Sequence, residues 1–87
     1  MELEQKFISH SEAVQQLTRR PANDELLSLY GLFKQATEGD ASGERPGGFD
    51  FKAIAKFDAW TANKGKSKEA AMTEYIQFAT NLIAKYS

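Results

Sequence analysis

The strongest constraint on this chain is the spacing of apolar residues from Ser67 almost to its end. Met72, Tyr75, Ile76, Ala79, Leu82, Ile83 and Tyr86 recur at helical spacing. A period of about 3.6 residues puts them on one face of a helix, whereas a strand would scatter them over both faces. A helix with one apolar face must bury it against another element. Three further segments carry helical patterns, and nothing alternates as a half-buried strand does.

The boundaries follow from local chemistry. Leu3, Phe7, Val14 and Leu17 form the stripe of a first helix. It should stop near Arg19-Arg20-Pro21, because proline cannot continue the hydrogen-bond ladder. The second is expected to take Asn23 as its N-cap, with Asp24 and Glu25 in the first turn, and to run to about Glu38 before Gly39. From Gly39 to Phe49 the glycines and Pro46 dictate a loop. It is longer than most helix–helix connections, and such loops are often functional. Asp50 should cap the third helix, with Phe49 stapled onto Ile54, and the helix should end near Asn63. The fourth begins at Ser67. The expectation is an all-α, four-helix bundle in which residues 1–87 form a single domain.

Composition removes several function classes. Eleven Lys and Arg against twelve Asp and Glu give a net charge of −1, which disfavours general nucleic-acid binding. Without cysteine there is no disulfide, thiolate metal site or cysteine nucleophile. The single histidine, His10, cannot build a histidine metal site, so no metal site is expected. His10 lies between Ser9 and Ser11, and adjacent helical positions point different ways, so these residues make no catalytic triad. No catalytic residue and no cofactor are expected. The start, Met1-Glu2-Leu3-Glu4-Gln5-Lys6, does not read as a secretory signal. No apolar run reaches the ~20 residues of a membrane helix. A cytoplasmic monomer without stable membrane insertion is the expectation.

Three features could serve a binding role. Leu26, Leu27, Leu29, Tyr30, Leu32 and Phe33 wrap beyond one face of the second helix. Either this helix is buried on two sides, or one of its faces serves an apolar ligand. Lys34 follows Tyr30 by one turn and is either a phosphate ligand or a snorkelling surface lysine. Lys52 and Lys56 are neighbours at i and i+4 on the third helix. Like charges there destabilise a helix by about 0.2–0.5 kcal/mol unless an anion lies between them. Lys52 also opposes the dipole in the first turn. The competing reading is a solvated face with Asp58 softening the field. The glycine-rich segment Gly43-Glu44-Arg45-Pro46-Gly47-Gly48 lacks the spacing of a nucleotide-binding P-loop. Arg45 is better read as part of a turn than as an anion ligand. Trp60 and Tyr75 read as core or pocket wall.

The run Leu29-Tyr30-Gly31-Leu32-Phe33-Lys34-Gln35-Ala36-Thr37-Glu38-Gly39-Asp40 resembles the acyl-CoA-binding protein (diazepam-binding inhibitor) family. So do Glu44-Arg45-Pro46-Gly47, Asp50-Phe51-Lys52, Ala55-Lys56-Phe57-Asp58-Ala59-Trp60, Lys64-Gly65, Ser67-Lys68-Glu69 and Ala71-Met72 through Tyr75. The resemblance covers essentially the whole chain. It implies a bundle with a shallow bowl that holds medium- to long-chain fatty acyl-CoA esters without chemistry, for buffering and intracellular transport. By resemblance, Tyr30, Lys34 and Lys56 hold the phosphate on the ribose of coenzyme A. Lys52 and Tyr75 help place the adenine and head group, and Leu26 and Leu27 line the acyl groove. Phe33 stands where the family usually has tyrosine, Gln15 where lysine is common and Phe57 where tryptophan is frequent. These departures imply weaker head-group binding or a shifted ligand preference. Two other readings stand beside the carrier: an interaction module whose apolar groove takes a partner helix, and an enzyme such as a thioesterase. The lysine pair argues against the former, and the missing nucleophile–base constellation against the latter.

Overall fold

Each apolar stripe becomes a helix. A computed structural model describes residues 2–87 as α1 (Glu2–Gln15), α2 (Asn23–Glu38), α3 (Phe51–Thr61) and α4 (Lys68–Tyr86), with no strand among the described residues. The core is centred on α4, whose Ala71, Tyr75, Ala79 and Leu82 are buried. Alanines in two of those positions let neighbouring helices approach closely. α2 adds Leu29, Leu32 and Ala36, and α1 adds Phe7. Their side chains are packed into one cluster, so removing this area from water drives the assembly.

The bundle is not a closed ring. α4 packs on α1 and on α2, and α2 packs on α3. Among the described residues no Cα of α1 comes within 8 Å of a Cα of α2 or α3. α3 buries none of its residues fully and lies at the rim. The Cα atoms accordingly span 36 × 30 × 14 Å, a flattened shape. With α4 beneath it, α2 forms the floor of a shallow bowl between α1 and α3.

Several expected boundaries hold. Asp50 caps α3 by accepting from the Ala53 N–H at 3.2 Å, and Ser67 caps α4 by accepting from Ala70 at 3.0 Å. Gly39 ends α2 with φ +82°, donating its N–H to Gln35, in a conformation where a Cβ would be strained.

Others differ for physical reasons. α1 ends at Gln15, short of Arg19. The following segment leaves the helix and brings Arg19 to the free carbonyls at the end of α4, where Nη2 donates to Lys85 O at 2.6 Å. The N-cap of α2 is Ala22, not Asn23, because the Asn23 amide oxygen accepts from Arg20 Nη1 at 2.8 Å. The Ala22 N–H instead donates to the Glu25 carboxylate at 2.9 Å. α3 ends at Thr61, two residues before Asn63. The staple of Phe49 onto Ile54 does not form: Phe49 is 91% exposed, and its ring lies beside that of Phe51.

Candidate functional site

The site is organised by the crossing of α2 over α3. Gly31 is buried there, and a Cβ at its position would lie 2.3 Å from the Ala59 carbonyl oxygen. Only glycine permits this approach. Asn63, buried at the same point, donates to Ala59 O at 3.1 Å. The residues on either side of Gly31 on the helix face, Tyr30 and Lys34, are thereby held against α3.

Lys56 and Trp60 come up from α3 to meet them. The Lys56 ammonium sits 5.2 Å from the centre of the Tyr30 ring, and that of Lys34 sits 4.8 Å from the centre of the Trp60 ring. Each cation of one helix thus rests on an aromatic ring of the other, a contact worth about 0.5–1 kcal/mol at an exposed site. Trp60 is itself fixed, because its indole N–H donates to Gly39 O at 2.8 Å. Pro46, Ala53 and Phe57 complete a cavity of about 230 Å³ around these residues.

A second cavity of about 400 Å³ continues from Lys56 and is lined by Arg20, Asn23, Leu27, Lys52 and Ala55. It brings three cations onto one apolar wall. Among the described residues, Arg20, Lys52 and Lys56 are in no ion pair, whereas Lys34 is paired with Glu38 one turn on. Asp58 does not soften the field around Lys52 and Lys56. Both its oxygens accept from Arg45 at 2.8 Å, which ties the glycine-rich loop to α3. The guanidinium holds the Asp58 carboxyl below its ordinary value. Arg45 therefore has the structural role expected of it.

The other expected site residues are spread around the bowl. Phe33, 38% exposed, stacks on Phe7 with ring centres 5.4 Å apart. Tyr75 is only 5% exposed and meets Phe7 edge-on at 5.0 Å. Burial raises the pKa of its hydroxyl above the ordinary phenol value. Phe33 lines a separate open cleft of about 590 Å³ on the α1 side, with Phe7, Ile8 and Met72. Leu26 is half-buried and packs against the core, and Leu27 lines the second cavity. Gln15 is exposed at the last position of α1 and lines neither lysine cavity.

Two contributors were hidden in the sequence. Trp60 is more than a wall, since it carries Lys34, and its position one turn after Lys56 is the available signal. Arg20 joins the cations only through the path of the chain between α1 and α2, which no spacing encodes.

The arrangement can hold an anion of several charges beside an apolar chain. Among the described residues, no cluster of three or more histidines, cysteines or carboxylates is placed to hold a metal ion. No helix of the described chain is long and apolar enough to cross a membrane.

Comparison with known proteins agrees with this geometry. Residues 4–79 match the family model described as acyl CoA binding protein. The chain is 51% identical over 83 residues to the acyl-CoA-binding protein homolog of Drosophila melanogaster, covering 95% of this chain and 96% of that one. It is 53% identical over 83 residues to acyl-CoA-binding protein 2 of Saccharomyces pastorianus, covering 95% of each. The crystal structure of Oryza sativa acyl-CoA-binding protein 2 superposes with a TM-score of 0.90 at 42% identity, covering 95% of this chain and 92% of that chain. The match in sequence runs through both walls of the lysine cavity and the match in fold through all four helices, so the chain belongs to the acyl-CoA-binding protein family.

Proposed function

We propose that residues 1–87 act as a single domain, a cytoplasmic monomer, that binds medium- to long-chain fatty acyl-CoA esters without covalent chemistry and thereby buffers and carries them. The observation that carries this reading is the pair of ammonium groups from different helices, each resting on an aromatic ring, beside a cationic apolar groove. Such a ligand joins a polyanionic head to a long apolar tail. Tyr30, Lys34 and Lys56 take the phosphate on the ribose. Lys52 takes the rest of the head group together with Arg20, and Leu27 lines the start of the tail's path. Phe33 faces the cleft on the α1 side of α2, next to which the adenine lies, and the buried Tyr75 ring backs it at 6.2 Å.

Burying the tail gains up to about 0.8 kcal/mol per methylene. Sixteen carbons then approach ~12 kcal/mol, the free energy of nanomolar binding, before the entropy of ordering the chain is subtracted. The lysines add charge-assisted hydrogen bonds and decide that the tail must carry coenzyme A. A groove built for a partner helix has no need of two cations on facing rings, which favours the acyl-CoA reading.

A titration with palmitoyl-CoA and its 3′-dephospho analogue tests the assignment. Loss of the ribose phosphate should weaken binding about a hundredfold, the worth of two charge-assisted contacts. Equal affinity for the two esters would remove Tyr30, Lys34 and Lys56 from that phosphate.

A further inference from the structure

The groove proposed for the start of the tail has an exit. Leu27, which lines the cavity of the three cations, also lines a third cavity of about 290 Å³. Ser28 and Leu32 join it from α2, and Ala59 and Ala62 from the end of α3. Ala55, on the wall of the cation cavity, precedes Ala59 by one helical turn. From Ala55 to Ala62 the path along α3 is about 10 Å at the helical rise. The small side chains on the α3 side leave room that larger ones would fill.

The two cavities differ in charge as the two ends of an amphiphile do. Around the first, Arg20, Lys52 and Lys56 are in no ion pair among the described residues. At the far end of the third, the Lys66 ammonium donates to Glu74 and to Asn63, both at 2.9 Å. The Asn63 amide in turn donates to Ala59 O at 3.1 Å. A polyanion finds no free cation there, and an apolar chain can displace water without stranding a charge. The open cleft on the α1 side is larger, but it shares no lining residue with either lysine cavity and lies across α2 from Leu27. Glu4, Glu12 and Glu69, which line it, are in no ion pair among the described residues.

We infer that the acyl tail passes Leu27 and ends in the cavity of Ser28, Leu32, Ala59 and Ala62, where the Lys66–Glu74 pair closes the path. These residues then set the chain length that gains most from binding. The inference rests on the acyl-CoA reading and adds to it the side chains that measure the tail.

The test is titration calorimetry with octanoyl-, lauroyl- and palmitoyl-CoA on the wild type, Ala62→Leu and Ser28→Glu. Ala62→Leu takes up room at the far end, and Ser28→Glu sets a carboxylate beside the tail. Wild-type affinity should rise with chain length by up to about fourfold per buried methylene. Both variants should bind octanoyl-CoA as the wild type does and palmitoyl-CoA about tenfold more weakly, the loss of roughly two such methylenes. Unchanged helical circular dichroism checks the fold, and either variant alone decides if the other does not fold. Chain-length profiles that run parallel in the wild type and the variants overturn the proposal and leave the acyl-CoA reading in place. A wild type that binds none of the three esters overturns that reading and this proposal with it.

Discussion

The two lysines of the head-group cavity are in different electrostatic states. Lys56 rests on Tyr30 and is in no ion pair among the described residues, whereas Lys34 is engaged by Glu38. A phosphate arriving at Lys34 must displace that carboxylate or tolerate it. Lys34→Ala and Lys56→Ala should each weaken palmitoyl-CoA binding about tenfold or more, the worth of a charge-assisted hydrogen bond. Thermal midpoints should stay close to the wild type, since exposed ion pairs add little to stability. Titration calorimetry and a thermal scan check both expectations, and an unchanged affinity removes the residue from the site. Glu38→Gln should act oppositely, tightening binding a few-fold at low salt with the gain fading as salt rises. A weaker affinity in that variant would mean that Glu38 positions Lys34 and does not compete for it. The unfavourable spacing of Lys52 and Lys56 was readable along the chain. The seat of Lys34 on Trp60 was not, because it exists only once α2 has crossed α3.

That crossing is where the elements fix the site. Glycine inside a helix costs about 1 kcal/mol relative to alanine, and the contact of Gly31 with Ala59 accounts for its presence. Gly31→Ala should destabilise the fold by about 1–3 kcal/mol, the usual penalty of overpacking, and should also weaken ligand binding by spreading Tyr30 from Lys56. Urea unfolding followed by calorimetry reads the two effects. A variant as stable as the wild type would show that the helices slide apart at little cost. At this scale the sequence was legible wherever one residue decides an end. Asp50 and Ser67 cap their helices as their chemistry dictates, and Gly39 stops α2. It misled where a distant group competes. Asn23 lost the cap because Arg20 occupies its oxygen, and α1 stopped early because Arg19 is drawn to the end of α4. Neither competition is visible in local propensity.

The backbones of the whole molecule pack in the order α1, α4, α2, α3, with α1 meeting α2 only through side chains such as Phe7 on Phe33, and ties at the ends hold the arrangement. At one end Gln35, fully buried, donates to Asp40 and to Lys66 O, both at 2.8 Å, joining α2 to the turn before α4. At the other, Glu25 accepts from Tyr86 at 2.5 Å, from Lys85 at 3.0 Å and from Ala22 at 2.9 Å. The Tyr86 hydroxyl, the Ala22 N–H and Lys85 together lower the Glu25 pKa from 4.5 to about 2. A carboxylate with a depressed folded-state pKa stabilises the fold fully above its unfolded value and loses that contribution as pH falls towards the folded one. Stability should therefore decline as pH drops from about 4.5 to about 2, and Glu25→Gln should be less stable at neutral pH with a shallower acid limb in denaturant titrations. Parallel curves for the two proteins would show that the tie carries no proton linkage. The periodicity of four apolar stripes was enough to read the bundle, but the order in which they pack, and so the bowl, came from side-chain pairs far apart in sequence. The central claim is that one site reads tail and head together. Isothermal titration with palmitoyl-CoA, palmitate and free coenzyme A at matched salt measures it directly. Tight binding of palmitoyl-CoA with both fragments far weaker is the expected result, and palmitate binding as tightly as palmitoyl-CoA, or no binding of palmitoyl-CoA at all, would contradict it.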